Sequence, residues 1–257
     1  MEISVEELEE VAALGWRGEE EDRMGGWLLR AAAGFTGRAN SALAIGDPGQ
    51  DLSPATEAVA CWYQARGLPA MIAVPYPVGQ PRASVLNRFL DARGWGLRSG
   101  PATVMTAPVG TVARDIPVPM GRFHADAEPD GSWLALYHYR GQPHLPAVAR
   151  KVLVSAPWQA FGSIRAGGET LAIGRVAVAA GWAGLTAIET GPRYRRRGLA
   201  AAITSALAGL AAGQAAENLY LQVEDANAAA RALYRRLGFT EHHGYHYRTA
   251  PPPDRAR

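Results

Sequence analysis

LTAIETGPRYRRRGLA, residues 185–200, runs from an apolar stretch through a Gly-Pro turn into a cluster of arginines and then into alanine-rich sequence. The apolar run 185–188 predicts a strand, Gly191-Pro192 a turn, and residues 199–212 a helix. Strand, basic glycine-containing turn and helix together build an anion cradle. The first amides of a helix have no intrahelical partner, and the helix dipole adds about half a positive charge at that end. Arg193, Arg195, Arg196 and Arg197 add mobile charge around the same point, and Gly198 lets the backbone approach closely. A diphosphate-bearing ligand is the natural occupant.

Outward from this stretch, strands are predicted at 158–165 and 170–180 around the hairpin turn Ala166-Gly167-Gly168. A strand follows at 184–190, then the helix 199–212 and a short buried strand, LYLQV, at 219–223. A helix over 227–237 stopped by Gly238 and a strand at 245–249 complete the half. Helices at 132–139 and within 146–154 precede these elements, giving the order ααβββαβαβ, a mixed α/β domain. Upstream, 27–30 and 41–45 read as strands. Residues 54–66 read as a helix with Ser53 as N-cap and Gly67 as its stop. Residues 69–74 and 103–106 read as strands, and 83–93 as a helix stopped by Gly94. Pro/Gly-rich sequence between the halves places a first domain at 1–110, a linker at 111–131, a second domain at 132–250 and a tail at 251–257.

Composition narrows the function classes. With 257 residues, 48% apolar and 19% charged, the chain can bury a substantial core. A net charge of +2 is too small for general nucleic-acid binding. Cys61 is the single cysteine, so no internal disulfide and no cysteine-based zinc site can form; its apolar neighbours predict a buried packing thiol. The acidic start lacks the pattern of a signal peptide, and no run approaches 18 apolar residues. A cytoplasmic protein without a membrane span is expected.

Three motifs carry a resemblance. Arg195-Arg196-Arg197-Gly198-Leu199-Ala200 fits an Arg/Gln-x-x-Gly-x-Gly/Ala loop, Asn227 stands just after the LYLQV strand, and residues 232–239, ALYRRLGF, fit an A-L-Y-x-x-x-G-F ending. In this order they resemble the GNAT superfamily of acyl-CoA-dependent N-acetyltransferases, over residues 132–248. The resemblance implies the GNAT fold, a central mixed sheet with two splayed strands. The first half looks like a smaller, degenerate GNAT-like copy without the loop. This arrangement is similar to two-part actinobacterial members, including a subgroup associated with N-acetylglutamate synthesis.

The resemblance also implies roles. Acetyl-CoA would lie between strands 184–190 and 219–223, with its pantetheine against Ile188, Glu189 and Thr190. Its pyrophosphate would sit on Arg195, Arg196, Arg197, Gly198, Leu199 and Ala200. Asn227 would bond the coenzyme or simply cap a helix. Tyr234 would protonate the leaving sulfur or pack against Phe239. Glu189 is the preferred base, with Glu224 the alternative. Arg38, Asn40 and Ser41 form a polar cluster that either faces the acceptor, with Arg38 on a carboxylate, or makes a plain turn. His242 and His246, four apart, would share a face, but no carboxylate or cysteine completes a metal site and no metal is expected. The implied reaction moves an acetyl group from acetyl-CoA to a primary amine of a small molecule or amino acid. The alternatives are acetylation of a protein N-terminus or lysine, and an acyl-CoA sensor without turnover. A homodimer is compatible with this reading; nucleic-acid and membrane partners are not expected.

Overall fold

The computed structural model describes residues 3–80, 84–137 and 145–251. The first half forms α1 (Val5–Gly15), β1 (Glu20–Met24), β2 (Trp27–Ala31), β3 (Ala42–Leu43), α2 (Leu52–Gln64), β4 (Met71–Pro77), α3 (Val85–Ala92), β5 (Gly96–Leu97) and β6 (Ala102–Pro108). There follow α4 (Val109–Val112), β7 (Arg122–Asp126), α5 (Gly131–Leu136), α6 (Val148–Leu153), β8 (Trp158–Ala166), β9 (Glu169–Ala179) and β10 (Trp182–Thr190). The last elements are α7 (Leu199–Ala212), β11 (Asn218–Glu224), α8 (Ala228–Leu237) and β12 (Thr240–Thr249). The predicted helix end at 138–139, Ala83 of the second predicted helix and tail residues 252–257 lie outside the described residues.

Among the described residues one sheet carries every strand, in the order β1-β2-β3-β4-β12-β6-β11-β10-β9-β8-β7, with β5 added to β12. It runs without a break across the predicted domain boundary. β12 pairs antiparallel with β4 from His243–Pro77 to Thr249–Met71, and on its other side with β6. β6 in turn pairs with β11 along its whole length, from Asn218–Pro108 to Glu224–Ala102. Strands of the two sequence halves therefore alternate at the centre.

Side-chain alternation along the strands sends apolar residues to both faces. On one face, Ile72 and Val74 of β4 pack with Ala55 and Val59 of α2 and Leu90 of α3. On the same face, Leu219, Leu221 and Val223 of β11 pack with Leu199, Ile203 and Leu207 of α7 and Leu237 of α8. The opposite face packs Tyr220, Tyr245 and Tyr247 with Leu8 and Ala12 of α1. There too, Phe161 and Ile173 pack with Trp133 of α5 and Val152 of α6. Arg175 is fully buried on this second side. Its Nε donates to Leu153 O at 2.7 Å and a terminal nitrogen to Gly15 O at 3.1 Å, and burial lowers the guanidinium pKa to about 10.

Several elements differ from the sequence reading. α1 is an added helix, signalled by the capping box of Ser4 and Glu7. The predicted linker contains the end of α4, which begins in the predicted first domain, and the edge strand β7, which pairs with β8 from Arg122–Arg165 to Asp126–Phe161. Gly110 falls within α4, whereas no Pro or Gly falls within β7. α2 begins at Leu52 with Asp51 at the N-cap, so Ser53 lies in the first turn and its hydroxyl donates to Glu57. Cys61 is exposed, not buried. α2 turns Ala55, Thr56, Val59 and Tyr63 to the sheet, and Cys61 falls between the last two on the solvent side. β12 begins five residues earlier than expected.

His242 and His246 do not share a face. An irregularity between Glu241 and His243 in the pairing with β6 turns His242 toward α1. There His242 contacts the Ile3 carbonyl at 2.9 Å and His243 at 2.8 Å, and His243 contacts Glu9 at 2.8 Å. His246 lies across the sheet with its Nε2 2.7 Å from Asn87 Oδ1, and burial followed by the charge of Arg248 lowers its pKa to about 4. In the unfolded chain a histidine titrates near 6.5. The unfolded chain thus takes up a proton between these values that the folded one refuses, so this group's contribution is full above pH 6.5 and falls as the pH drops toward 4. Urea titrations at pH 7 and 4.5 should show wild type losing more stability on acidification than His246→Gln.

Candidate active site

β10 and β11 run parallel and pair from Trp182–Asn218 to Leu185–Leu221, and there the ladder stops. Both strands continue. β11 stays paired with β6 to Glu224, and β10 stays with β9, entering a bulge between Thr186 and Glu189. Ala187, inside the bulge, has φ +54°, a left-handed backbone that β-strand residues rarely adopt. The extra residue bends β10 away from β11 and opens a fork beyond the end of their shared ladder. Ile188 points to α7, where Gly174 leaves room: a Cβ on that glycine would stand 2.6 Å from Ile188 Cδ1 and 2.7 Å from Leu207 Cδ1. Glu189 and Thr190 follow, both half-buried.

The β10 arm leads directly into the arginine turn. Residues Pro192–Tyr194 form a 3-10 turn, Arg195 is extended, Arg196 has φ +62° and Gly198, at the N-cap of α7, has φ +81°. Two left-handed residues separated by one make successive amides converge, and those of Leu199 and Ala200 add the free N–H groups of a 14-residue helix. Arg193, Arg195, Arg196 and Arg197 are exposed around this concavity. Arg195 Nε reaches the Thr190 carbonyl at 3.4 Å, and Arg197 lies 5.8 Å from the centre of the Tyr194 ring. The residues present thus fit a nucleotide diphosphate.

Tyr234 packs edge-on against Phe239 at 5.8 Å, in the same cluster as Leu185, Leu199 and Leu221 at the root of the fork. Burial pushes its hydroxyl up to about 12, so it holds its proton at neutral pH. Asn227 is the N-cap of α8, accepting from Ala230 N at 3.1 Å.

Beside the β11 arm, on the face of α1, lies an open cleft of about 830 Å³. Gln222 and Glu224, on one face of β11, form part of its wall; Tyr245 and Tyr247 of β12, Tyr137, Arg98 and residues 36–38 form more of it. Of the two carboxylates expected to act as base, Glu224 lines this cleft, whereas Glu189 is not part of its wall. Arg38 points into the cleft, donating to Gln222 Oε1 at 2.6 Å and lying 4.6 Å over the Trp16 ring. Asn40 is buried beneath the same loop. Its Oδ1 accepts from Ala32 N and Gly34 N, both at 2.8 Å, and its Nδ2 donates to Phe35 O at 2.6 Å and Thr36 O at 2.9 Å. Ser41 is fully buried with an unpartnered hydroxyl, away from the cleft wall. Sequence reasoning passed over Arg98, Tyr137 and Gln222. The tyrosines at 245 and 247 carried a signal, since alternate residues of a strand share a face. No cluster of histidine, cysteine or carboxylate residues able to hold a metal occurs among the described residues.

Residues 3–248 match the family model described as "Probable histone acetyltransferase Rv0428c C-terminal". The chain belongs to this family. Across 250 residues it is 31% identical to the "Probable histone acetyltransferase Rv0428c" of Mycobacterium tuberculosis, covering 95% of this chain and 73% of that protein. It is 26% identical over 257 residues to the "Uncharacterized N-acetyltransferase YobR" of Bacillus subtilis, covering 95% and 98%. Its fold matches a solved GCN5-related N-acetyltransferase from Kribbella flavida with a TM-score of 0.69 at 17% identity, over 98% of this chain and 97% of the other. The fork, bulge and cradle are thus set in the mixed α/β fold of the GNAT acyltransferases, as the three motifs implied.

Asn40 bonds four main-chain groups of the loop that carries Arg38, and its removal takes all four bonds away. Asn40→Ala should lower unfolding stability by about 3 kcal/mol, read from urea denaturation.

Proposed function

We propose that the protein is an acetyl-CoA-dependent N-acetyltransferase acting on a primary amine of a small molecule. One observation carries this: the ladder between β10 and β11 ends at Leu185 and Leu221, with an anion cradle along one arm and an open polar cleft beside the other. A thioester lying in such a fork can expose its diphosphate to one side and its acyl group to the other.

The cradle amides and Arg195, Arg196 and Arg197 hold the diphosphate of acetyl-CoA. The β10 backbone through Thr190, beyond the end of its ladder with β11, receives the pantetheine amides. The thioester supplies the acetyl group. An amine must lose a proton to attack, and the leaving thiolate must gain one. Glu224, at the cleft, takes the proton from the ammonium, and Tyr234, holding its proton at neutral pH, gives one to the sulfur. Asn227 serves α8 as its cap. The first-half loop at Arg38 contributes to the acceptor side, so both sequence segments, residues 1–110 and 132–250, build one site.

The name of the mycobacterial relative supports a second reading, in which the acceptor is a protein lysine. Thiol release with free amines and with lysine peptides separates the two.

Calorimetry should detect acetyl-CoA binding, and absence of heat at saturating ligand would sink the proposal. Gly198→Val, which forces a β-branched residue into a left-handed backbone, should weaken that binding at least tenfold. Glu224→Gln should lower kcat by roughly 10²- to 10³-fold with acetyl-CoA affinity unchanged, and Glu189→Gln by less. Tyr234→Phe should lower kcat more than coenzyme affinity; unchanged turnover would remove it as the acid.

A further inference from the structure

Behind the cleft, three side chains and a carbonyl form a line between α1 and β12. His242 Nε2 lies 2.9 Å from Ile3 O, His242 Nδ1 lies 2.8 Å from His243 Nδ1, and His243 Nε2 lies 2.8 Å from Glu9 Oε1. His243 is fully buried and Glu9 nearly so. Each contact is a hydrogen bond only with a proton in it, so the line needs three. A carbonyl and an ionised carboxylate bring none, and two neutral imidazoles bring one each. With both rings neutral, the two end contacts take those protons, and two bare Nδ1 lone pairs face each other at 2.8 Å. A third proton is therefore required.

The surrounding groups decide where it sits. Those acting on Glu9 are Arg30 of β2, Tyr220 of β11, and Tyr245 and Tyr247 of β12. Burial raises all three phenols, which leaves them uncharged at neutral pH. Arg30 is buried with its Nε unpartnered, and its charge favours the carboxylate form of Glu9. Glu6, Glu7 and Glu10 of α1 are exposed, and Glu241, beside His242, is held by Arg231 and Arg235. β6 carries no titratable side chain, and Tyr76 of β4 packs on His246 across the sheet. On β9, Arg175 meets the other end of α1 at Gly15, and the one carboxylate of β10, Glu189, lies past the bulge. With Glu9 ionised, the third proton lies on His243, which donates from both nitrogens, while neutral His242 donates to Ile3 O.

We propose that Glu9, His243 and His242 form a proton-dependent latch, an imidazolium between a carboxylate and a neutral ring, that fastens α1 to β12 beneath the cleft. Glu9 and Trp16 of α1 wall an inner space whose other lining, Arg38, Gln222, Tyr245 and Tyr247, also lines the cleft. Trp16 supports Arg38 from below, so release of α1 slackens that wall. A histidine in the unfolded chain loses its proton near pH 6.5. Above that pH the latched chain binds one proton more than the unfolded one. The latch's contribution is thus full below about pH 6.5 and falls as the pH rises until the proton leaves.

Glu9→Gln separates the proton from the contacts. Its amide brings the third proton, so all three bonds form with both rings neutral. Nitrogen NMR of the full chain labelled on histidine, at about pH 7.5, should show one ring protonated at both nitrogens. That signal should vanish in His243→Gln and turn neutral in Glu9→Gln. In urea, between about pH 6.5 and 8.5, the unfolding equilibrium constant of the wild type should rise by up to about tenfold per pH unit relative to Glu9→Gln. Amide exchange in α1 should quicken over the same range in the wild type alone. His242→Phe, which removes the contact between the rings, should also lose both the doubly protonated ring and the slope. Two neutral rings in the wild type at pH 7.5, or equal slopes in the wild type and both variants, would overturn the latch.

Discussion

The bend in β10 is the constraint on which the rest of the site depends. Two parallel strands with unbroken pairing would bury their backbone groups in each other and leave no room between them. The extra residue near Ala187 breaks that pairing on one side only, since β9 still holds β10 beyond the bulge and β6 still holds β11. The fork is therefore rigid, an opening held by neighbours on both flanks rather than a frayed edge. A ligand amide that bonds the exposed backbone finds its partners already in place, so little ordering has to accompany binding.

Charge is divided between the two sides of this opening in different ways. The cradle arginines are exposed and sit on backbone amides that supply the fixed part of the field, which suits capture of a highly charged ligand from solvent. Arg38 and Arg98 are half-buried and oriented by rings and an amide side chain, which suits discrimination between ligands of similar size. The buried Arg175 belongs to neither group. It ties the carbonyls ending α1 and α6 to β9, and its lowered pKa of about 10 still leaves it charged at neutral pH.

Local signals in the sequence are legible where one element determines them. The helix 199–212 has the predicted bounds because Gly198 and a run of alanine and leucine specify it without help. The hairpin at Gly167-Gly168 and the cap at Gly238 are legible for the same reason. What escaped depends on partners distant in sequence. Cys61 has apolar neighbours, yet its burial is set by which face of α2 meets the sheet. β7 lies among Pro and Gly residues and is a strand because β8 offers an edge. The cleft joins Arg38, Arg98, Tyr137 and Gln222, and no spacing along the chain announces that they meet.

β12 illustrates a further consequence of order along the chain. It lies between β4 and β6 and completes the hydrogen bonding of both, yet the ribosome makes residues 240–249 after every other strand of the sheet. Until they emerge, β4 and β6 each present an open central edge to solvent, and neither half can close its sheet alone. Folding by independent halves during synthesis is thereby disfavoured, and the long-range closure that remains is slow in chains of high contact order. The nascent chain accordingly spends its most aggregation-prone interval with two strands awaiting the same partner.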